Sequence, residues 1–496
     1  MEAKAGAGVA FESAPGRWLL AVTVVGSGMA FLDGTVVNVA LPDIGEDFGA
    51  STSSLQWILN GYLLTLASLI LLGGSLGDRY GRRRVFAIGV GLFTFASALC
   101  AAAPSAEALV GARLLQGVGG ALLTPGSLAL IEASFRPTDR ARAIGAWSGL
   151  GGVATALGPL LGGYLIGAVS WRAIFLINIP LGAFVLWAAT EHVPESRDPG
   201  AGGRLDLAGS VLAAAGLAGA TYALIEAPEL GASATVLLAG VGGLLALVAF
   251  FVHEHRSANP MLPLGIFSSR QFSAANGVTF VVYAALGGVF FLLVSFLQIS
   301  MGYTPIEAGA SSLPVTALML VGSARAGELA QRIGPRIPLT LGPLVIAVGL
   351  AWLSTVEPGD SYLGSILPPI VVFGLGLTLV VAPVTATVLA AADSAHSGIA
   401  SGVNNAVARV AGLLAVAVLP VIAGLTGESF YDPAAMTDGF QIGMLVCAGL
   451  AAVGGLLAWL TIDAAVLHEE PGEPEPEPEY SCDVNGPALR PGREMG

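Results

Sequence analysis

The sequence predicts an all-α polytopic membrane protein with fourteen transmembrane helices, and three observations support that fold class. Hydrophobic residues make up 54% of the 496 positions and charged residues only 11%, well below the roughly 25% of soluble proteins. Apolar runs of membrane-spanning length recur along the chain, separated by short polar or Gly/Pro-containing breaks. Lys and Arg concentrate in alternate breaks, as they do on the cytoplasmic side of membrane proteins.

Each apolar run is predicted to form a helix, because a backbone in hydrocarbon must satisfy its own hydrogen bonds. The runs are close to the roughly 20 residues that span a bilayer core. In chain order they cover residues 18–41, 55–77, 85–103, 106–131, 143–169, 173–190, 207–227, 232–252, 272–299, 308–329, 337–355, 363–391, 399–426 and 440–461. The breaks leave no room for a soluble catalytic domain, and no reactive cluster stands out, so we do not expect an enzyme.

The distribution of basic residues orients these helices. If the N-terminus is cytoplasmic, most of the 21 Lys and Arg residues lie on the cytoplasmic side, and only Arg172 lies at an outer helix end. An even number of spans then places both termini in the cytoplasm. The strong preference for Arg over Lys, with abundant Ala and Gly, indicates a bacterium, so the cytoplasmic (inner) membrane is the expected location.

An internal repeat indicates a body of two halves. GSLGDRYGRR at 74–83 aligns without gaps on GELAQRIGPR at 327–336, and each string follows the second span of its half. The predicted organisation is a cytoplasmic N-terminal segment (1–17), an N-terminal six-helix bundle (18–191), two linker transmembrane helices with flanking loops (192–271), a C-terminal six-helix bundle (272–465) and a disordered, acidic, Pro/Glu-rich cytoplasmic tail (466–496).

Charge and cysteine content argue against several kinds of partner. The formal net charge of -13 disfavours nucleic-acid binding, which requires a basic patch. Three cysteines, two of them inside apolar runs, provide neither a disulfide framework nor a metal site. Glycine-rich strings within spans lack the strand and the Lys of a phosphate-binding loop. We therefore expect no metal and no cofactor.

Asp33 is the main candidate for ion coupling. It lies inside the first span, where a carboxylate is costly and marks a functional candidate. Arg113 lies at a similar depth in the fourth span, so the two can form a neutralising contact. A contact that changes during transport would shift the proton affinity of the carboxylate, which proton coupling requires. The alternative is a structural Asp, hydrogen-bonded to neighbouring groups.

The segment after the second span is the candidate cytoplasmic gate. Its glycines permit a tight turn, and its acidic residue stands among arginines at the membrane surface. The candidate gate residues are Gly74, Asp78, Arg79, Gly81, Arg82 and Arg83. The alternative is that this basic cluster serves only as a topology signal.

Polar side chains within spans are candidates for lining a substrate cavity. They are Asn60, Tyr62, Gln116, Asn276, Tyr283, Gln298, Asn404, Asn405 and Arg409. Buried amides can equally hold helices together. Arg409 could bind an anionic substrate or neutralise a carboxylate. Asp33 is the only deep acid, which disfavours a dicationic substrate.

Several motifs together resemble those of a known transporter family. The string 74–83 resembles the loop signature of the major facilitator superfamily. Residues 154–163, which contain Gly158, Pro159, Gly162 and Gly163, resemble the antiporter motif of its exporters. LDGTVVNVALP at 32–42, WRAIFLINIPLG at 171–182 and SGVNNAVAR at 401–409 resemble its fourteen-span drug:proton antiporter (multidrug efflux) branch.

This resemblance implies a major facilitator fold, with two six-helix bundles and two linking helices. It implies proton-coupled efflux of lipophilic drugs, antibiotics or related metabolites by alternating access, with Asp78 latching onto a partner helix end in one access state. The expected partners are a lipophilic small molecule, protons and the lipid bilayer, with no nucleic acid, and the protein is expected to be a monomer. The alternative is a proton-coupled importer or carrier of a specific metabolite.

Overall fold

The computed structural model describes residues 8–198, 205–392 and 397–467. Within these residues, fourteen helices are long and apolar enough to cross a membrane. In chain order they are α1 (Ala14–Phe48), α2 (Thr52–Tyr80), α3 (Arg82–Ala101), α4 (Ala106–Ser134), α5 (Pro137–Ala168), α6 (Ala173–His192), α7 (Leu207–Leu230), α8 (Ala234–Arg256), α9 (Arg270–Ile299), α10 (Pro305–Ile333), α11 (Arg336–Leu353), α12 (Tyr362–Ala390), α13 (Ser397–Ile422) and α14 (Pro433–Thr461). The predicted all-α fold with fourteen transmembrane helices is confirmed.

Most helices extend beyond the apolar runs that predicted them, as α1 illustrates. Its N-cap is Ser13, whose hydroxyl accepts a hydrogen bond from the Gly16 N–H, and it continues through Pro42 to Phe48. It stops at Gly49, whose φ of 58° is left-handed and costs glycine little. The apolar run marks the part of a helix that needs lipid, whereas capping residues outside the run set its ends.

The helices form two six-helix bundles and a linking pair. In the first bundle α4 packs against α2 and α3, and α1 packs against α5 and α6. In the second, α11 packs against α12 and α14, and α9 packs against α13 and α14. The linking helices α7 and α8 pack on each other, and α7 also contacts α2 and α13. The linking pair therefore lies along one side of the junction between the bundles.

We name the two membrane sides by where α1 begins: that side is the N-side, and the other is the far side. The predicted internal repeat has a structural counterpart on the N-side. α2 ends at Gly81, with φ of 118°, and α10 ends at the corresponding Gly334, with φ of 83°. Both backbones are in a region that favours glycine, so the two halves make the same turn.

The apolar core is continuous between the bundles only towards the far side. One cluster contains buried residues of both bundles, including Val36, Leu55 and Ile166 with Val289 and Leu419. The buried members of a second cluster all come from the first bundle and the segment just after it. The predicted acidic tail (466–496) lies outside the described residues from residue 468 onwards.

Candidate functional site

Asp33 and Arg113 form a buried ion pair within the first bundle. Their side chains are 0% and 1% exposed, and an Arg113 guanidinium nitrogen donates to Asp33 Oδ2. The other carboxylate oxygen, Oδ1, accepts from Gln116 Nε2 at 2.8 Å. Arg113 Nε also donates to the Ile58 carbonyl at 3.1 Å. The charges are thus compensated, and both carboxylate oxygens are occupied, as a buried pair requires.

Gln116 extends the ion pair into a hydrogen-bond network of side chains from α1, α3, α4 and α6. Gln116 Nε2 on α4 also donates to Ser97 Oγ on α3 at 2.9 Å. Asn178 Nδ2 on α6 donates to the same hydroxyl at 3.2 Å. Gln116 was a predicted cavity residue, but it is fully buried beside Asp33 of α1. A change in the charge of Asp33 would therefore affect these four helices and α2, whose Ile58 carbonyl accepts from Arg113.

Tyr62 packs on this ion pair inside the first bundle, where its side chain is buried and its hydroxyl donates to the Ala30 carbonyl of α1 at 3.4 Å. The guanidinium carbon of Arg113 lies 4.4 Å from the centroid of the Tyr62 ring. Arg409 and Tyr283 lie on α13 and α9 of the second bundle, and α13 packs against α2, the helix that carries Tyr62. No hydrogen bond or ion pair between described residues joins these three side chains.

Two faces of α13 carry its polar residues. Asn404 Nδ2 donates to Thr279 Oγ1 at 2.8 Å and to Asn276 Oδ1 at 3.2 Å, so this face holds α13 against α9. Asn405 lies 100° further round the helix and is exposed. Arg409, one turn beyond Asn405 on the same face, is half-buried. Asn276 and Asn404 thus hold helices together, whereas Asn405 and Arg409 do not.

The remaining predicted cavity residues lie at contacts between the bundles. Gln298 of α9 donates to the Val39 carbonyl of α1 at 2.9 Å. Asn60 is fully buried, and neither of its amide atoms has a hydrogen-bond partner among the described residues. It lies one turn from Gln56, whose amide contacts α13, so Asn60 also faces that junction.

Hydrogen bonds close the junction at the far side. Gln56 Nε2 donates to the Val416 carbonyl of α13 at 2.6 Å. Thr52 Oγ1 donates to the Gly427 carbonyl at 3.0 Å, and the Tyr431 hydroxyl donates to the Ala50 carbonyl at 2.6 Å. Tyr431 lies outside the membrane-spanning helices, at the end of the 3-10 helix Gly427–Tyr431, where partial burial raises the pKa of its hydroxyl to about 12. Each of these bonds links one bundle to the other.

The predicted antiporter motif is the packing surface of α5. A Cβ at Gly158 would lie 2.1 Å from Thr35 Oγ1, and one at Gly162 would lie 2.4 Å from a Val36 methyl group, so both glycines let α1 approach. A Cβ at Gly163 would lie 2.3 Å from the Pro305 carbonyl oxygen. Similarly, a Cβ at Gly309 would lie 2.1 Å from the Pro159 carbonyl oxygen. The motif thus brings α5 against both α1 and α10.

Contact between α5 and α10 is concentrated at the far side. It is made mainly by the first turn of α10, Pro305–Ala310, and less by the rest of that helix. On the N-side half of α5, a Cβ at Gly145, Gly149 or Gly152 would have no neighbour within 4 Å. The bundles are therefore closed at the far side and separated between α5 and α10 at the N-side.

The predicted gate segment is mostly helical. Gly74, Asp78 and Arg79 lie in the last turns of α2, Gly81 makes the turn, and Arg82 begins α3. Arg82 Nε donates to Asp78 Oδ1 at 2.8 Å within this segment. Among the described residues, Asp78 bonds only within this segment and to the stretch that follows the first bundle, since its carbonyl accepts from the Asp198 N–H at 3.0 Å.

Glu195, which sequence reasoning missed, anchors the gate segment. Its carboxylate accepts from the backbone N–H groups of Arg83 at 3.0 Å and Arg84 at 3.2 Å. The carboxylate thereby caps the N-terminus of α3, where an acidic group is favoured by the helix dipole. Its distance in sequence from the arginines explains why only the structure reveals the contact.

Comparison with known proteins decides the family. A family model described as the Major Facilitator Superfamily matches residues 23–416. The chain belongs to this superfamily. The superfamily member described here is a multi-pass membrane protein, and its family is one of transporters.

Relatives and solved structures agree with that assignment. The chain is 38% identical to the tetracenomycin C resistance and export protein of Streptomyces glaucescens, over 84% of this chain and 78% of the relative. It is 35% identical to the methylenomycin A resistance protein of Bacillus subtilis, over 91% and 96% respectively. A crystal structure of a D-xylose-proton symporter superposes with a TM-score of 0.62 at 17% identity, covering 90% of this chain and 98% of that chain.

Proposed function

We propose that this superfamily member exports lipophilic antibiotics or related metabolites across the cytoplasmic membrane of a bacterium in exchange for protons. The observation that carries the proton coupling is the buried Asp33–Arg113 pair, whose carboxylate is the one deep acid of the described spans. The named resistance and export functions of the relatives support the direction of transport. The protein acts as a monomer, and no enzymatic step is involved.

We infer that the N-side is cytoplasmic, because most basic residues lie there, so that both termini are cytoplasmic. The state described here is then open to the cytoplasm between α5 and α10. Residues 18–191 and 272–465 act as two rocking units, and 192–271 links them. In the opposite state, Asp78 and its arginines hold the cytoplasmic ends of the bundles together.

Proton exchange follows from the chemistry of the pair. When Asp33 is ionised, Arg113 and Gln116 hold it, and the network across α1, α3, α4 and α6 is intact. When Asp33 takes up a proton, its attraction to Arg113 falls and the network loosens. Alternation between these forms couples one protonation event to the relative movement of helices in the first bundle.

The test is substrate-evoked proton movement in inverted membrane vesicles with an acidic interior. An antiporter that loads drugs into the vesicle releases protons, and Asp33→Asn abolishes this release while the protein remains inserted. Asp47→Asn is the matched control, because Asp47 also pairs with an arginine, Arg172 at 2.8 Å, but at the far-side surface. Proton uptake with substrate would contradict antiport and favour the importer alternative. Unchanged release in Asp33→Asn would contradict the role of Asp33 in proton coupling.

A further inference from the structure

We propose that the substrate binds as an organic anion, with its carboxylate or acidic phenol held by Arg409 at the junction of the two bundles. This inference rests on the proposed transport function and names the substrate class of that site.

The charges deep in the described spans do not cancel. Asp33 is neutralised by Arg113, and its two oxygens already accept hydrogen bonds. Arg409 forms neither an ion pair nor a hydrogen bond with any described residue. The positive charge of this half-buried side chain within α13 is therefore left without a counter-ion. A bound anion would supply that counter-ion.

The face of α13 that carries Arg409 is accessible. Asn405, one turn towards the N-side, is exposed, whereas Asn404 is turned towards α9 and bonded there. Arg409 and Asn405 together present a guanidinium and an amide, and a guanidinium fork suits a carboxylate. At the N-side the bundles are separated between α5 and α10, whereas α13 stays against α2, where a Cβ at Gly402 would lie 2.9 Å from Leu71. A ligand would therefore reach this donor-rich face through the opening between α5 and α10.

An aromatic ring adjoins this face. Tyr283 of α9 is half-buried and lies one turn beyond Thr279, which Asn404 of α13 contacts, whereas Tyr62 is enclosed in the first bundle. The Tyr283 ring suits the apolar or aromatic body of a lipophilic substrate. A cationic substrate would instead be repelled by Arg409 and would find no free carboxylate beside it. The charge balance therefore favours an amphipathic anion over the cationic alternative.

The test compares three pyrene compounds that differ in one group: pyrenebutyrate, its uncharged methyl ester and the cationic 1-pyrenemethylamine. Binding to the full-length protein in phosphatidylcholine nanodiscs is measured by energy transfer from tryptophan to pyrene, with empty nanodiscs as background. We expect the acid to bind about ten-fold more tightly than the ester, as a charge-assisted contact implies. Equal binding of acid and ester by the wild-type protein would overturn the proposal.

Variants locate the anion-binding group. Arg409→Gln should remove the preference for the acid, and Arg409→Lys should keep most of it because the charge remains. Arg325→Gln, which removes an exposed arginine of α10, should leave the preference unchanged. If Arg409→Gln keeps the preference for the acid, Arg409 is not the anion site, even if the variant loses proton release. If Arg409→Gln does not fold, the wild-type and Arg409→Lys comparisons decide.

The binding assay uses no proton gradient, so its result is independent of antiport. Asp33→Asn should retain the preference for the acid even though it loses substrate-evoked proton release. Loss of proton release with intact acid preference supports both proposals. Proton release that persists in Asp33→Asn, with intact acid preference, refutes the coupling proposal alone.

Discussion

Arg113 and Tyr62 are stacked: the guanidinium carbon lies 4.4 Å from the ring centroid. The residue that neutralises Asp33 thus packs on a ring of α2, and α2 in turn packs against α13, which carries Arg409. Helix α2 therefore connects the proposed coupling pair to the helix of the proposed substrate site.

The effects of substituting Asp33 and Arg113 on the free energy of unfolding should be strongly coupled. Arg113→Gln leaves a buried carboxylate without its partner, so the free energy of unfolding should fall by about 3–5 kcal/mol. Asp33→Asn combined with Arg113→Gln should recover part of that loss, because no charge is left uncompensated. Thermal unfolding of the detergent-solubilised protein measures both effects. A single Arg113→Gln variant that melts like the wild type would refute the energetic role of the pair.

Close approach of α5 and α10 should control far-side closure. Gly163→Ala places a methyl group against the Pro305 carbonyl and should shift the protein towards a state open at the far side. Gly167→Ala is the control, because a Cβ there has no neighbour within 4 Å.

Electron spin resonance measures the opening. Spin labels are placed at Glu107→Cys and Glu357→Cys, which lie near the far-side ends of different bundles, in a Cys482→Ser background. The distance between the labels should lengthen in Gly163→Ala and stay unchanged in Gly167→Ala. Equal distances in the two variants would show that this contact does not hold the bundles closed.

Tyr431 should stabilise far-side closure over a wide pH range. Its pKa is raised to about 12 by burial, so the closed state binds this proton more tightly than a solvated phenol does. The stabilisation is therefore fully present below pH 10, the usual pKa of a tyrosine, and is lost as the pH rises through about 12. Tyr431→Phe should weaken closure by about 0.5–1.5 kcal/mol. The same pair of spin labels measures this weakening. The assignment would be contradicted if far-side closure of the wild type changed with pH below pH 9 and Tyr431→Phe removed that change.

The carboxylate of Glu195 should stabilise the gate segment. Glu195→Gln weakens the cap of α3 and should lower the free energy of unfolding by about 0.5–2 kcal/mol, the range of helix caps. Amide hydrogen exchange in the first turn of α3 should rise. Glu191→Gln, which alters an exposed acid one turn earlier in the chain, serves as the control. Unchanged amide exchange at Arg83 and Arg84 in Glu195→Gln would show that this carboxylate does not stabilise the N-terminus of α3.

Membrane potential should distinguish an anionic from a neutral substrate. Export of pyrenebutyrate moves one more elementary charge than export of its methyl ester at the same proton stoichiometry. An inside-negative potential of 100 mV should thus favour export of the acid by about 2.3 kcal/mol relative to the ester. Transport by liposomes with and without a potassium–valinomycin potential measures this difference. Equal responses of the two compounds would mean that the acid is carried in its neutral form.

The sequence alone determined the number of helices and the repeat of the two halves. Apolar length and hydrogen bonding in hydrocarbon leave few alternatives to a helix, so composition is enough for that part of the fold. The depth of Asp33 and Arg113 also predicted their contact, because charges are rare in spans and must be compensated. The predicted repeat at 74–83 and 327–336 shares the glycine turns at Gly81 and Gly334.

Only the tertiary structure decided what each polar residue contacts. Nothing in the local sequence distinguishes Gln116, which bonds to Asp33, from Gln298, which bonds across the bundles to Val39. Similarly, neighbouring Asn404 and Asn405 differ because one faces α9 and the other does not. These outcomes depend on helix rotation and on contacts between segments far apart in the chain. Span length and hydropathy carry no information about helix rotation or about such long-range contacts, whereas the packing of the helices determines both.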